Sequence, residues 1–289
     1  MLDQHMLRML DWALEEDLGT GDCTSRSSVP AELTHEGFIL AKEAGVVAGV
    51  EVARHVFRRV DDTVTFEAHV ADGAAVNVGD VVVRIHGPAQ SILAAERLAL
   101  NFMQRMSGVA TTTRRAMDVL KGTPTKVLDT RKTTPGLRAF EKWGVRLGGG
   151  VNHRMGLYDM VLIKDNHVDY AGSMTAALAG VKAYFDQGEP LVPVVVEVRS
   201  MDELYEAMAA SEAGGLKLER LLLDNFTPSQ VKDAVVHVAG RLPLEASGGI
   251  DLTNLRAYGE AGVDFVSMGA LTHSVKSLDL SLKTQATLA

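Results

Sequence analysis

The residues best suited to chemistry lie in the stretch VLDTRKTTPGLRAFEKWGVRLGGGVNHR, residues 127–154. An apolar, strand-like run ends there in Asp129, Thr130, Arg131 and Lys132, a helical stretch follows, and a glycine triplet delivers His153 and Arg154. Lys164 and Asp165 close the next apolar run. Residues 126–167 hold eight Lys/Arg against four Asp/Glu, although the whole chain of 289 residues has a formal net charge of −8. A cationic segment in an acidic chain suits a small anion better than nucleic acid, whose backbone attracts a whole basic face. Arg offers planar bidentate donors to carboxylate or phosphate, and Lys a compact point charge. Arg131, Arg154 and Lys164 facing one cavity would repel one another, so together they imply a ligand with several negative charges.

Such residues need a frame that brings them together. Six apolar runs recur after residue 125, KVLDT, MVLIKD, PVVVEV, RLLLDN, PLEASGG and DFVSMG, separated by helical segments such as SMTAALAGVKAYFD, MDELYEAMAASE, TPSQVKDAVVHVAG and LTNLRAYGEAG. Near-continuous Val/Ile/Leu runs at βα spacing indicate parallel strands buried on both faces. Every run ends in polar or glycine residues: Arg131 with Lys132, Lys164, Glu197, Asp224, Ser247 with Gly248 and Gly249, and Gly269. In a parallel barrel those ends form one catalytic rim; in a doubly wound sheet the ligand crevice lies at the same ends. Six units make the barrel incomplete.

The first 110 residues differ. MLDQHMLRMLDWALEEDLG sets Met6, Met9, Leu10, Ala13 and Leu14 on one helical face but carries acids throughout, as a core-packing helix does and a signal peptide does not. Residues 33–90 are β-like with Gly at the turns, and residues 91–121 have long helical periodicity. VDDTVT, residues 60–65, superficially matches the acidic pair of a phosphoribosyl-diphosphate signature, but Arg58 and Arg59 precede it and no glycine loop follows, so it reads as a helix-to-strand turn. DGAAVNVGDVVVRIHG lacks a tip lysine for a lipoyl- or biotinyl-carrier role. The lone Cys23 excludes an internal disulfide, and no apolar run is long enough for a membrane span. A cytoplasmic protein without nucleic-acid or membrane partners is expected.

Each site residue also has an ordinary reading. A lone strand-end lysine is commonly ion-paired, SGG commonly a turn, GGG a flexible loop and His153 a surface histidine. Their convergence on six consecutive strand ends favours a site. Glu197 and Asp224 could hold Mg²⁺, bind ribose hydroxyls or stabilise positive charge. The glycine-rich turns at SGG and SMGALTHS are of the kind that cradles a phosphate. The nine histidines show no paired metal-ligand spacing, so no protein metal site is expected. A Schiff-base aldolase using Lys164 and a non-catalytic anion-binding barrel remain alternatives on these residues alone.

Taken in order, EEDLGTGDCTS, GVVAG, AERLALNFMQRMSGVAT, DTRKTTPGLRAFEKWGVRLGGGVNHR, LIKDNH, VVEV, LLLDNF, EASGGI and SMGALTHS resemble the quinolinate phosphoribosyltransferase family, and they run from Glu15 to Ser274. The resemblance implies an α/β fold: an N-terminal α/β sandwich domain (residues 1–110, completed by 275–289) and an incomplete, about six-stranded parallel α/β barrel (residues 111–274). It implies transfer of phosphoribosyl from phosphoribosyl diphosphate to quinolinate, giving nicotinate mononucleotide, CO₂ and diphosphate in NAD biosynthesis. Mg²⁺ would accompany the diphosphate, with no organic cofactor. By the same resemblance Arg131, Lys132, His153, Arg154 and Lys164 would meet the quinolinate carboxylates. Glu197 and Asp224 would serve the ribose and metal-bound diphosphate, with Lys164 as catalytic residues. Ser247, Gly248, Gly249 and Gly269 would hold the 5′-phosphate. Arg97 would reach the site of a neighbouring subunit in a homodimer or larger assembly. A related phosphoribosyltransferase acting on another base, and the ModD-type proteins that share the fold, are the nearest alternatives.

Overall fold

The computed structural model describes residues 2–284. The chain begins with α1 (Gln4–Leu18), whose first turn is capped by the Asp3 carboxylate accepting from Met6 N at 2.8 Å. Met6 and Leu10 are buried on its inner face, with Met9, Ala13 and Leu14 packed beside them, as the spacing requires. There follow α2 (Cys23–Ser28), β1 (Thr34–Ala41), β2 (Gly45–Val46), α3 (Val50–Val60), β3 (Thr65–Ala68), β4 (Ala75–Val76), β5 (Val81–Pro88) and α4 (Ala89–Val119). VDDTVT forms the expected passage from helix to strand. Helix α3 interrupts the β-like reading of residues 33–90: Val50, Ala53, Val56 and Phe57 line its buried face, and its first N–H groups donate to Asp72, at 2.9 Å from Val50. That cap comes from far along the chain, where local patterning does not show it.

The next elements are β6 (Lys126–Leu128), α5 (Arg138–Gly148), β7 (Val161–Ile163), α6 (Asp165–Ala171), α7 (Met174–Asp186), β8 (Val194–Val198), α8 (Met201–Gly214), β9 (Arg220–Asp224), α9 (Pro228–Val238), β10 (Leu244–Ser247), α10 (Leu255–Glu260), β11 (Phe265–Ser267), α11 (Ala270–His273) and β12 (Leu280–Thr284). All six apolar runs are strands. Contacts divide the chain into two compact units: residues 1–114, 132–150 and 271–289, and residues 115–131 and 151–270. The sequence reading groups 132–150 with the barrel, whereas α5 packs within the first unit. Of the tail segment 275–289, residues 285–289 lie outside the described residues.

The first unit is built on an antiparallel sheet in the order β12-β1-β5-β3. The tail strand joins it along β1, with Gly37 opposite Thr284 and Ala41 opposite Leu280. Its core gathers Phe57, Met103, Met106, Leu10 and Phe140, and the Phe102 and Phe140 rings lie 4.8 Å apart. Helices α4 and α5 pack at close quarters: a Cβ on Gly148 would stand 2.5 Å from the Ala110 carbonyl oxygen and from Thr113 Cβ. The first glycine of the GGG triplet is therefore a packing residue, and Gly149, at φ +97°, ends α5 in the left-handed region.

The second unit is a six-stranded parallel sheet in the order β6-β11-β10-β9-β8-β7. Strands β7 to β11 lie in chain order and β6 follows β11, the cyclic order of a barrel left open between its first and second strands. Val194–Val198 are buried throughout, and β9 is buried up to Asp224, as strands covered on both faces must be.

Replacing Gly148 by Ala should overpack the α4–α5 contact and cost about 1–3 kcal/mol of stability. Gly180→Ala, in α7 with nothing within 4 Å of the added Cβ, should stabilise by roughly 0.5–1 kcal/mol. Urea midpoints of the two variants are expected to move in opposite directions.

Candidate active site

Strand register brings the second unit's polar residues to one edge. Ile163 pairs with Val196, so Lys164 emerges beside Glu197, and Ser247 pairs directly with Asp224. Lys164 Nζ donates to Glu197 Oε2 at 2.6 Å; the lysine is half exposed and the glutamate buried. The ordinary reading of Lys164 as an ion-paired strand-end residue therefore holds, and its partner is another candidate site residue.

Just past β6, the buried Asp129 accepts from His153 N at 2.9 Å, fixing the loop that carries His153 and Arg154. His153 is buried: its Nδ1 accepts from Arg154 N at 2.7 Å, and its Nε2 lies 3.6 Å from Glu245 Oε1. Acceptance at Nδ1 puts the proton of the neutral ring on Nε2. The Arg154 guanidinium donates from Nη1 to Met160 O at 3.1 Å. Burial, and then the neighbouring positive charge of Arg131, hold it below its ordinary pKa, against the opposing pull of Asp159. Asp159 also accepts from Met155 N and Gly156 N at 2.7 and 2.8 Å, closing the loop beneath it.

A cleft of about 700 Å³ opens beside these cations. It is lined by Arg131, Arg154, Lys164 and His167 together with Met160, Ala177, Tyr184 and other apolar groups, and no carboxylate appears in its described lining.

At the turn after β10, Gly248 has φ +104° and Gly249 φ +57°. A Cβ on Gly248 would fall 2.2 Å from Asn225 Oδ1 and 3.0 Å from Asn225 N, so this turn admits only glycine without rearrangement. Asn225 bridges the neighbouring strands: its N donates to Ser247 O at 2.8 Å and its Nδ2 to Asp224 Oδ2 at 2.8 Å. Beyond the turn, Asn254 Nδ2 donates to Gly249 O at 3.0 Å. Helix α10 begins only at Leu255, so the donors next to Ser247 are loop N–H groups.

Ten of the candidate residues, Arg131, His153, Arg154, Lys164, Glu197, Asp224, Ser247, Gly248, Gly249 and Gly269, belong to the second unit, whereas Arg97 and Lys132 belong to the first. Arg97 is exposed on α4, and Lys132 is exposed with its carbonyl accepting from Thr272 Oγ1 at 2.8 Å.

Sequence reasoning missed a buried polar column inside the parallel sheet. Glu245 is fully buried, accepts from Arg220 Nε at 2.5 Å and from the Ser267 hydroxyl, and faces His153. Burial pushes its carboxyl above the usual range, while Arg220 and Ser267 act in the opposite sense. The available signal was a charge inside each of two apolar runs, RLLLDN and PLEASGG.

A parallel sheet whose carboxyl edge gathers cations, carboxylates and a glycine-only turn defines an enzyme that handles a small, multiply charged anion at a strand-end rim. Comparison with known proteins narrows that class. The family models for the quinolinate phosphoribosyl transferase C-terminal and N-terminal domains match residues 109–283 and 22–107. A mitochondrial quinolinate phosphoribosyltransferase [decarboxylating] of Nicotiana glauca is 43% identical over 291 residues, covering 97% of this chain and 82% of its own. The crystal structure of NadC from Streptococcus pyogenes is 40% identical with a TM-score of 0.91, over 98% of this chain and 97% of that one. The nicotinate-nucleotide pyrophosphorylase structure from Francisella tularensis is 36% identical, also with a TM-score of 0.91, over 99% and 98% of the two chains. The chain belongs to the quinolinate phosphoribosyltransferase family.

Removing Glu245 alone leaves Arg220 buried without its counter-charge, so Glu245→Ala should cost about 3–5 kcal/mol. Substituting both partners, Glu245→Leu with Arg220→Met, should return most of that loss, because an apolar pair of similar volume avoids the desolvation penalty. Denaturant unfolding of the single and double variants measures both effects.

Proposed function

We infer that this chain is a quinolinate phosphoribosyltransferase (decarboxylating), an enzyme of NAD biosynthesis. It joins quinolinate to the phosphoribosyl group of phosphoribosyl diphosphate and releases nicotinate mononucleotide, CO₂ and diphosphate. Within a chain of this family, the observation that carries the assignment of this rim is the convergence of Arg131, Arg154 and Lys164 on one cleft without a lining carboxylate. Two carboxylates on adjacent ring atoms supply the negative charge that such a group of cations favours. Lys164 Nζ is held by Glu197 Oε2 at 2.6 Å, and in this reading it serves as a fixed hydrogen-bond donor to the anionic substrate.

In this reading Arg131, His153, Arg154 and Lys164 orient the pyridine so that its nitrogen faces the anomeric carbon, with Lys132 contributing beside Arg131. Glu197 and Asp224 bind the ribose and tolerate the positive charge that develops on it as diphosphate departs. Ser247, Gly248, Gly249 and Gly269 hold the 5′-phosphate through loop N–H groups, a role supported by the close packing of Gly248 on Asn225. Attack by nitrogen makes the ring cationic; its positive charge stabilises the electron pair left on C2 when the 2-carboxylate departs as CO₂, and a proton from water then forms the C2–H bond of nicotinate mononucleotide. Among the described residues no three His, Cys, Asp or Glu side chains cluster as a metal cage. Mg²⁺ keeps several waters and is bound through one or two carboxylates and substrate phosphates. Glu197 and Asp224 would be those carboxylates, and the ion would offset negative charge on the diphosphate.

The proposal includes a homodimer or larger assembly in which Arg97 serves the neighbouring subunit's site; the exposed position of Arg97 on α4 is compatible with this. It also includes a cytoplasmic location. No helix among the described residues is long and apolar enough to cross a membrane.

Incubation with quinolinate, phosphoribosyl diphosphate and Mg²⁺ should yield CO₂ and nicotinate mononucleotide, and nicotinate in place of quinolinate should yield neither; equal turnover of the two acids would refute the assignment. Lys164→Ala should lower kcat/KM per folded molecule by orders of magnitude with only a modest fall in melting temperature from the lost Glu197 pair, since a rim lysine serves chemistry and not the core. Refolding Arg97→Ala together with Lys164→Ala should restore about 25% of wild-type activity by two-fold symmetry, because half the dimers are mixed and each of those has one intact site. No recovery, despite proven subunit exchange, would place Arg97 in its own chain's site or in none.

A further inference from the structure

Helix α6 buries none of its side chains, so it adds little to the core of the second unit, yet it begins at the residue that follows Lys164. Its third residue, His167, turns its ring back on the chain: Nδ1 accepts from Lys164 N at 3.0 Å. The first turn of α6 holds the other side of the same residue, in the peptide that follows it, with His167 N and Val168 N donating to Lys164 O at 2.9 and 3.1 Å. Glu197 holds Nζ at 2.6 Å. Backbone and ammonium of Lys164 are thus pinned at opposite ends, and the imidazole supplies the only one of these restraints that comes from an exposed side chain. His167 also lines the cationic cleft with Arg131, Arg154 and Lys164.

From this we propose that His167 is a positioning residue for the reaction, acting through Lys164: its Nδ1 fixes the Lys164 peptide so that the ammonium is presented to the anionic substrate from an unvarying direction. A neutral ring that accepts at Nδ1 carries its proton on Nε2, and the bond to the Lys164 N–H exists only in that form. The consequence is geometric. Without the imidazole the Lys164 N–H turns to solvent at small cost in stability, whereas the side chain loses its fixed origin, and a displacement of about 1 Å at a reacting group can cost on the order of a hundredfold in rate.

The inference rests on the phosphoribosyltransferase reading of this rim, and the wild-type assay separates the two: absence of nicotinate mononucleotide formation by the wild type defeats that reading, while the variants are compared only with an active wild type. His167→Ala should reduce kcat by about ten- to a hundredfold, with the KM for quinolinate within about threefold and the melting temperature unchanged. Glu and Gln are the usual side chains at this capping position because an Oε atom accepts from the same backbone N–H, and Gln does so without adding charge. His167→Gln should therefore recover at least about tenfold of the lost kcat, equivalent to one hydrogen bond of ~1.4 kcal/mol. If His167 acts through Lys164, the double variant His167→Ala with Lys164→Ala should be no slower than Lys164→Ala alone. A loss confined to KM, additive losses in the double variant, or no recovery with Gln would overturn the proposal in favour of direct substrate contact. Unfolding of His167→Ala, or unchanged kcat, would overturn it in favour of a structural role or none.

Discussion

Repulsion between like charges at one sheet edge is the constraint on which the second unit depends. Burial, and then the nearby charge of Arg131, disfavour the charge on Arg154. A protein can hold such groups only if neighbouring elements fix them. Asp129 fixes the loop backbone, Asp159 closes the turn below Arg154, and Glu197 takes the Lys164 ammonium. These carboxylates act from strand ends or tight loops, where the backbone is already immobile. The charge is therefore arranged before any ligand arrives, and preorganisation of this kind lets an electrostatic site act without reorganising.

The same constraint bears on the polar interior. Arg220, Glu245, Ser267 and His153 form a column of polar contacts beneath the rim in a sheet otherwise filled with Val, Leu and Ile. A buried ion pair contributes little net stability over an apolar pair. Its effect here is directional: Glu245 faces His153 from below while Arg154 N occupies Nδ1 from the side, which leaves the imidazole one orientation. At the opposite side of the rim, Gly248 lets Asn225 draw the β9 and β10 ends together, setting Asp224 next to Ser247. Sugar-binding carboxylate and phosphate-binding turn are thus parts of one packed unit in the proposed mechanism.

Much of this was legible in the sequence because the strands announce themselves twice, by a run of buried aliphatics and by the polar residue that ends it. MVLIKD, PVVVEV and RLLLDN each give a strand and its rim residue in six letters. The antiparallel unit was less legible. Helix α3 is capped by Asp72, a partner that no local window contains, and the first glycine of the triplet, open to reading as a flexible loop, proved to be a contact between α4 and α5. Glu245 and His167 escaped notice for opposite reasons. Glu245 is hidden inside an apolar run, where alternation suggests nothing special. His167 sits in an exposed short helix whose importance lies in a single bond back to Lys164. Neither burial pattern nor residue type reports a bond of that sort; only the fold does.

The central claim is that Arg154, next to Arg131, exists to meet the second carboxylate of the substrate. Calorimetric titration of quinolinate and nicotinate onto wild type and Arg154→Met, without phosphoribosyl diphosphate, tests it as a cycle of ligand carboxylate against guanidinium. The account expects wild type to bind quinolinate at least about tenfold more tightly than nicotinate, a difference of ~1.4 kcal/mol, and Arg154→Met to bind the two alike. A preference for quinolinate that survives the loss of Arg154, or no preference in the wild type, would contradict it.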